Sequence, residues 1–352
     1  MTLVSGICDD TVPSLRSQPS GQRQEVPVLR IFATAPLRGE GVTTLEELGP
    51  LVREPWITGP TDPMTILGES QLVDKIRTLA ADVVICEADS CKGPVLDLPL
   101  RAICSTRGDP SNVDVAGATA KGIPVLHAPG RNADGVAELA LALLFAVNRR
   151  VLPADADVRE GAVFKDGTIP YQRFRAWQLA GRTAGLVGLG AVGRATRWRL
   201  EGIGMRVISF DPYSSEATHD SLDALLAEAD VVSMHAPPTI ETMGMIGADQ
   251  FDRMRDDAIY VNSARAALHD LDALTGALQA GKLSGAGLDH FEGEMLPPDH
   301  PLLAMTNVVL TPHIGGATFD TEANHTRLIA DDLMRLVNGD QPMHCANPEV
   351  LL

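Results

Sequence analysis

The chain has 352 residues, 45% of them hydrophobic, with a formal net charge of −17 and a pI near 4.9. That length and apolar content suit two soluble globular domains. The acidic balance excludes a nucleic-acid partner, which would need a basic face, and no apolar run is long enough to cross a bilayer, so no membrane partner is expected.

Residues 1–26 are polar and aperiodic, without the basic start and apolar core of a secretion signal, and read as a flexible leader on a cytoplasmic protein. The five cysteines lack C-x-x-C pairing and read as reduced thiols. From Val28 the pattern turns to α/β. Strands are expected over 28–35, 81–88, 100–105 and 123–129, with helices over 64–80 and 114–120 between them. These place a substrate domain at 27–132. A helix from Ala133 to about Arg150, apolar on nearly all sides, reads as sandwiched between domains. Residues 154–179 contain a charged, irregular segment, 161–177, too long for an ordinary connector, which reads as a functional loop or oligomer arm.

The stretch around which the rest is organised is Gly185 to Asp211. An apolar strand, 184–189, leads into Gly188, Gly190 and Gly193 in G-x-G-x-x-G spacing, then a helix, then a second strand ending in Asp211. Gly188 allows a tight turn, Gly190 lets backbone N–H groups reach a pyrophosphate, and Gly193 lets helix and strand pack closely. Asp211 suits a ribose 2′-OH and repels a 2′-phosphate, which favours NAD over NADP. Further strands over 230–235, 258–264, 284–290 and 307–313 alternate with helices, giving a doubly wound parallel sheet in an NAD-binding domain at 133–317. A final amphipathic helix, 321–338 and closed by Gly339, is expected to return to the first domain, so that 318–352 completes it. The fold class is α/β with two Rossmann/flavodoxin-like domains.

Three loop motifs follow the fingerprint: NSAR (262–265), GLDHFEGE (287–294) and TPHIGG (311–316). In this order and spacing the chain resembles the D-2-hydroxyacid dehydrogenase family. The resemblance implies a substrate arginine at Arg265, an acid at Glu294, a proton donor at His313 and a carboxylate near the nicotinamide at Asp289. It also implies Ala191 and Val192 at the pyrophosphate and Ser263, Ala264 and Gly315 beside the nicotinamide. Catalysis would lie between the domains of a homodimer joined through the arm, here about 134–180.

The residue types fit that chemistry. Reducing a 2-oxo acid leaves charge on oxygen, which calls for a proton donor and a fixed cation. Histidine supplies the first, with an acidic neighbour stabilising its charged form, and arginine binds a carboxylate bidentately. Glu292 rivals Glu294. His235 reads as a structural residue near the cofactor; His269, His290, His300 and His325 show no metal-ligand spacing and read as surface or loop residues, so no metal is expected.

In the family, a G-x-G-like loop commonly holds the substrate carboxylate, whereas here the run is Ser105, Thr106, Arg107, Gly108, Asp109, Pro110. Arg107 offers a second anionic group a cation, Asp109 opposes it, and Arg131 is a further candidate contact. His290 and Ala266 stand where Val and Gly are common. The end near 352 leaves no room for the regulatory domain of longer relatives. The expected partner is a small anionic 2-hydroxy or 2-oxo acid; the competing reading is an NAD-sensing, corepressor-like binding protein of the same fold.

Overall fold

The computed structural model describes residues 28–352, so the leader expected over 1–26 lies outside the described residues. The first part runs β1 (Ile31–Ala33), α1 (Glu40–Leu48), β2 (Leu51–Arg53), α2 (Glu69–Leu79), β3 (Val83–Cys86), β4 (Ala102–Ser105), α3 (Val115–Ala120) and β5 (Val125–Leu126). Next come α4 (Ala133–Asn148), α5 (Val151–Arg159) and α6 (Pro170–Arg173). The second part runs β6 (Thr183–Val187), α7 (Ala191–Gly202), β7 (Arg206–Phe210), α8 (Leu222–Glu228), β8 (Val231–Met234), α9 (Ala248–Arg253) and β9 (Ala258–Asn262). It closes with α10 (Leu271–Gln279), β10 (Leu283–Leu288), β11 (Val308–Leu310) and α11 (Phe319–Val337).

Two all-parallel sheets result, ordered β2-β1-β3-β4-β5 and β11-β10-β9-β8-β6-β7. Parallel strands need helical crossovers, which cover both faces, so the strands are apolar without alternation. Val83 to Cys86, Val231 to Met234 and Ala258 to Asn262 are buried at every position. Each sheet accordingly carries a core on either side. Strand order reverses at β1/β3 in one sheet and at β6/β8 in the other, and crevices open at the carboxyl ends of such strands.

Helix α11 leaves the second sheet and packs on α1, where Leu45 and Leu48 share a core with Ile329, Ala330 and Leu333. The tail then joins β5: buried Asp332 accepts hydrogen bonds from the Met343 and His344 N–H groups, and Asn347 Oδ1 accepts one from the Val125 N–H.

Three expectations need correction. Helix α4 does not lie sandwiched between domains: Ala140, Leu143, Leu144 and Val147 pack on the six-stranded sheet, and the opposite side leaves Phe145 exposed. The segment 161–177 is not wholly irregular, since Pro170–Arg173 forms a short helix, and the unforeseen α5 before it buries no residue, so no apolar periodicity marks it. Third, α1 and β2 break up a stretch in which no element was expected.

Gly41 lets α1 and α11 touch, because a Cβ there would meet the Thr326 carbonyl carbon and the Arg327 nitrogen at 2.7 Å. Gly41→Ala should cost about 1–3 kcal/mol by overpacking and lower the thermal midpoint. Gly276→Ala, in α10 with open space around the new methyl, should raise it slightly. Equal midpoints for the two variants would contradict this account of the helix contact.

Candidate active site

The carboxyl ends of β6 and β8 form the cofactor crevice. Gly188 has φ +100, and a Cβ would sit 2.7 Å from the His235 carbonyl carbon. At Gly193 a Cβ would lie 2.1 Å from the Gly188 oxygen, so both positions require glycine. At Gly190, which precedes the α7 N-terminus formed by Ala191 and Val192, a Cβ would meet nothing within 4 Å. The turn therefore leaves open space in front of a helix N-terminus, the arrangement that receives a phosphate. Asp211 is aimed at this turn: its carboxylate accepts hydrogen bonds from the Leu189 N–H at 2.7 Å and the Tyr213 N–H at 2.9 Å. Two buried polar atoms lack partners, His235 Nδ1 and Ser263 Oγ. Such atoms are costly unless a ligand or water completes them, and with the open turn they fit a dinucleotide.

The turn after β9 is held from beneath. Asn262 accepts a hydrogen bond from the Ala264 N–H and donates to the Arg265 carbonyl at 2.9 Å, and His269 Nδ1 lies 2.8 Å from its amide. Ser263 is buried, Ala264 is half-buried and the Arg265 side chain is exposed.

Asp289, fully buried after β10, organises the loop after β11. Its carboxylate accepts hydrogen bonds from the Thr311 hydroxyl at 2.6 Å and from the Ile314 and Gly315 N–H groups at 2.9 Å, while its carbonyl accepts the His313 N–H. His313 is thereby held at φ +56, an uncommon conformation for a non-glycine residue. Its Nδ1 lies 2.8 Å from Glu294 Oε1. Glu292 makes no such contact among the described residues.

The histidines read as surface residues require correction. His269, His290 and His325 are buried, at 7%, 6% and 1% exposure. The His290 ring packs against His313 with centroids 3.8 Å apart, and burial, then His313 and Arg265, push its pKa down to about 4. Arg265, His290, Glu294 and His313 thus share one neighbourhood. No spacing rule applied to a single segment reveals this, because the residues follow three different strands.

The ends of the first sheet face this crevice: a Cβ on Gly130 would lie 3.3 Å from Ala191 Cβ, and one on Gly316 would lie 3.2 Å from Asn132. Here the two candidate arginines differ. Arg131 forms a partly buried ion pair with Glu87 and bonds His325 Nδ1 at 2.7 Å. Burial pushes the Glu87 carboxyl up, but Arg131 outweighs this and holds it below its ordinary value. His325 Nε2 donates to the Pro36 carbonyl, which leaves Nδ1 to accept from the Arg131 guanidinium, and that acceptor role requires the neutral ring. Arg107 has no carboxylate partner among the described residues; it donates to the Glu87 carbonyl at 2.7 Å and toward Ser111 Oγ. Gly108 and Asp109 are exposed beside it.

The sequence model described as "D-isomer specific 2-hydroxyacid dehydrogenase, NAD binding domain" matches residues 141–315. A glyoxylate reductase of Korarchaeum cryptofilum is 36% identical over 330 residues, covering 92% of this chain and 97% of that one. A D-3-phosphoglycerate dehydrogenase of Archaeoglobus fulgidus is 40% identical over 235 residues, 65% of this chain and 44% of that longer one. Among solved structures, the TT0316 protein of Thermus thermophilus matches with a TM-score of 0.76 at 35% identity, covering 90% of this chain and all of that one. The two parallel-sheet domains and the glycine crevice are those of an NAD-dependent oxidoreductase. The chain belongs to the D-isomer specific 2-hydroxyacid dehydrogenase family. No helix among the described residues is long and apolar enough to cross a membrane.

Burial lowers the pKa of His235 and of His269 to about 4, and lowers that of His325. Unfolded histidines titrate near 6.5, so between roughly 6.5 and 4 the unfolded chain binds more protons. The stability these neutral imidazoles contribute is complete above about pH 6.5 and is lost as pH falls through about 4. Thermal midpoints should therefore drop steadily between pH 7 and 4.5, and a flat profile would refute the buried neutral state.

Proposed function

We propose that the chain interconverts a D-2-hydroxy acid and its 2-oxo acid, with His313 as acid and base, Glu294 as its orienting partner and Arg265 as the substrate cation. The observation that carries this reading is the His313–Glu294 contact in the loop fixed by Asp289, beside Arg265. With the Nδ1–H donated to the Glu294 carboxylate, Nε2 is the atom left to exchange a proton with substrate oxygen. In reduction the imidazolium gives that proton; in oxidation the neutral ring takes it. Arg265 binds the carboxylate bidentately and polarises the carbonyl. When bound, the nicotinamide supplies or accepts the hydride. Gly188, Gly190, Ala191, Val192 and Gly193 receive the pyrophosphate, and Asp211 binds the ribose. His235, Ser263, Ala264, Asp289 and Gly315 line the remainder of the NAD site.

For the substrate tail the geometry favours Arg107 over Arg131, whose charge is already met by Glu87. A guanidinium without a carboxylate partner in the cleft suits a phosphorylated or dicarboxylic 2-oxo acid, and among the relatives it favours the kind named for phosphoglycerate. NADH oxidation against glyoxylate, hydroxypyruvate, phosphohydroxypyruvate and 2-oxoglutarate tests both claims. His313→Ala should lower kcat by about 10²–10⁴ with NADH affinity unchanged. Arg107→Ala should raise KM for the doubly anionic acids and leave glyoxylate unaffected. Measurable NADH binding with no turnover of any acid would shift the reading to the binding protein.

A homodimer through the arm is supported by a groove of about 1060 Å³ that includes Phe145, Pro170, Tyr171, Phe174 and Trp177 in its lining. Tyr171 and Trp177 are 77% and 67% exposed, much apolar surface for a monomer to leave in water. Sedimentation should give a dimer mass for the wild type and a monomer for Trp177→Asp with Tyr171→Asp. A monomeric wild type would end this reading. The free cysteines among the described residues, Cys86, Cys91, Cys104 and Cys345, support a reducing, cytoplasmic setting.

A further inference from the structure

We propose that His290, Glu294 and His313 form a reversible site for a divalent zinc-type cation, whose binding takes the proton-transfer pair out of use. The three side chains each offer one ligand atom, and these atoms all lie within 4.8 Å of one another. The set is two imidazole nitrogens and a carboxylate oxygen, the borderline ligands that zinc prefers and that magnesium does not. A fourth position stays open to water.

The decisive member of the group is His290. Proton transfer by His313 and its orientation by Glu294 account for two members and leave the third unexplained. His290 is buried, its ring lies against His313, and no hydrogen bond to either of its ring nitrogens occurs among the described residues. Neither nitrogen is committed to a protein partner among the described residues, so one is available to join the His313 nitrogen and the Glu294 carboxylate as a ligand. Metal-bound donors at about 2.0–2.2 Å in tetrahedral array lie roughly 3.3 Å apart, so the group must contract slightly. Glu294 and His313 are the members able to move, since their side chains are 57% and 44% exposed while His290 is anchored.

The consequence is chemical. A cation between His313 Nδ1 and Glu294 replaces the proton they share, and the metal-bound imidazole can no longer cycle between its protonated and neutral forms. Inhibition should therefore follow metal occupancy.

The experiment is a titration of the purified full chain with Zn²⁺ in competition with a chromogenic chelator, without substrate, so its outcome does not depend on which acid is turned over. The wild type should bind one Zn²⁺ per chain, and millimolar Mg²⁺ should not displace it. His290→Phe keeps a ring against His313 but removes the nitrogen donor, and should weaken Zn²⁺ binding at least about tenfold. Glu294→Gln should weaken it as well. NADH fluorescence checks that each variant is folded. Where an acid is reduced, Zn²⁺ should inhibit the wild type reversibly and a chelator should restore the rate. Substoichiometric binding, or equal Zn²⁺ affinity in the wild type and both variants, would overturn the proposal.

Discussion

The geometry of the candidate site depends on one buried carboxylate. Asp289 sits where β10 ends and takes its hydrogen bonds from the segment that follows β11, so two loops far apart in sequence become one rigid piece. A buried charge is expensive unless its oxygens are met, and here a hydroxyl and two backbone N–H groups meet them. The same bonds force His313 into a left-handed conformation and turn its ring toward Glu294. Strain of this kind persists only when the surroundings over-determine it. Gly315 contributes by its lack of a side chain, since a Cβ would crowd Asp289 Oδ2 at 3.1 Å. Asp289 therefore acts first on protein groups, whatever it also offers a bound nicotinamide.

The fold explains why this piece faces the cofactor. In a parallel sheet every strand ends on the same edge, so the loops after β6, β8, β9, β10 and β11 gather there without any special device. The reversal of strand order beside β6 opens the crevice in which Gly188 and His235 meet. The first sheet repeats the scheme, and the Pro129 to Asn132 turn brings its edge against Ala191 and Gly316. Helix α11 then carries the chain back to α1, tying the second domain's exit to the first domain's core.

The glycine fingerprint was legible because it follows an apolar run visible in one short window, whereas Arg265, Glu294 and His313 were singled out by the resemblance of three loop motifs to a known family. The pairing of Arg131 with Glu87 and His325 was not legible, since the partners stand 44 and 194 residues away and no local pattern links them. The burial of His290 was hidden for a related reason. It follows from His313 folding back over it, a tertiary event set by Asp289. Short elements escaped as well: β2 is an edge strand with two exposed positions out of three, and α5 has no buried face.

The charge pattern of the cleft suits the small anionic acid proposed as its substrate. A chain with a net charge of −17 repels small anions at long range, so an anionic acid must be held by local cations. Arg265 and Arg107 are left without carboxylate partners among the described residues, while Arg131 is neutralised by Glu87 and becomes structural. Burial keeps His290 neutral beside His313, so the imidazole proposed to transfer the proton is not opposed by a second positive charge at its face. Under the proposed function the site separates three tasks: fixed positive charge to bind, an exchangeable proton to react, and buried neutral imidazoles to pack.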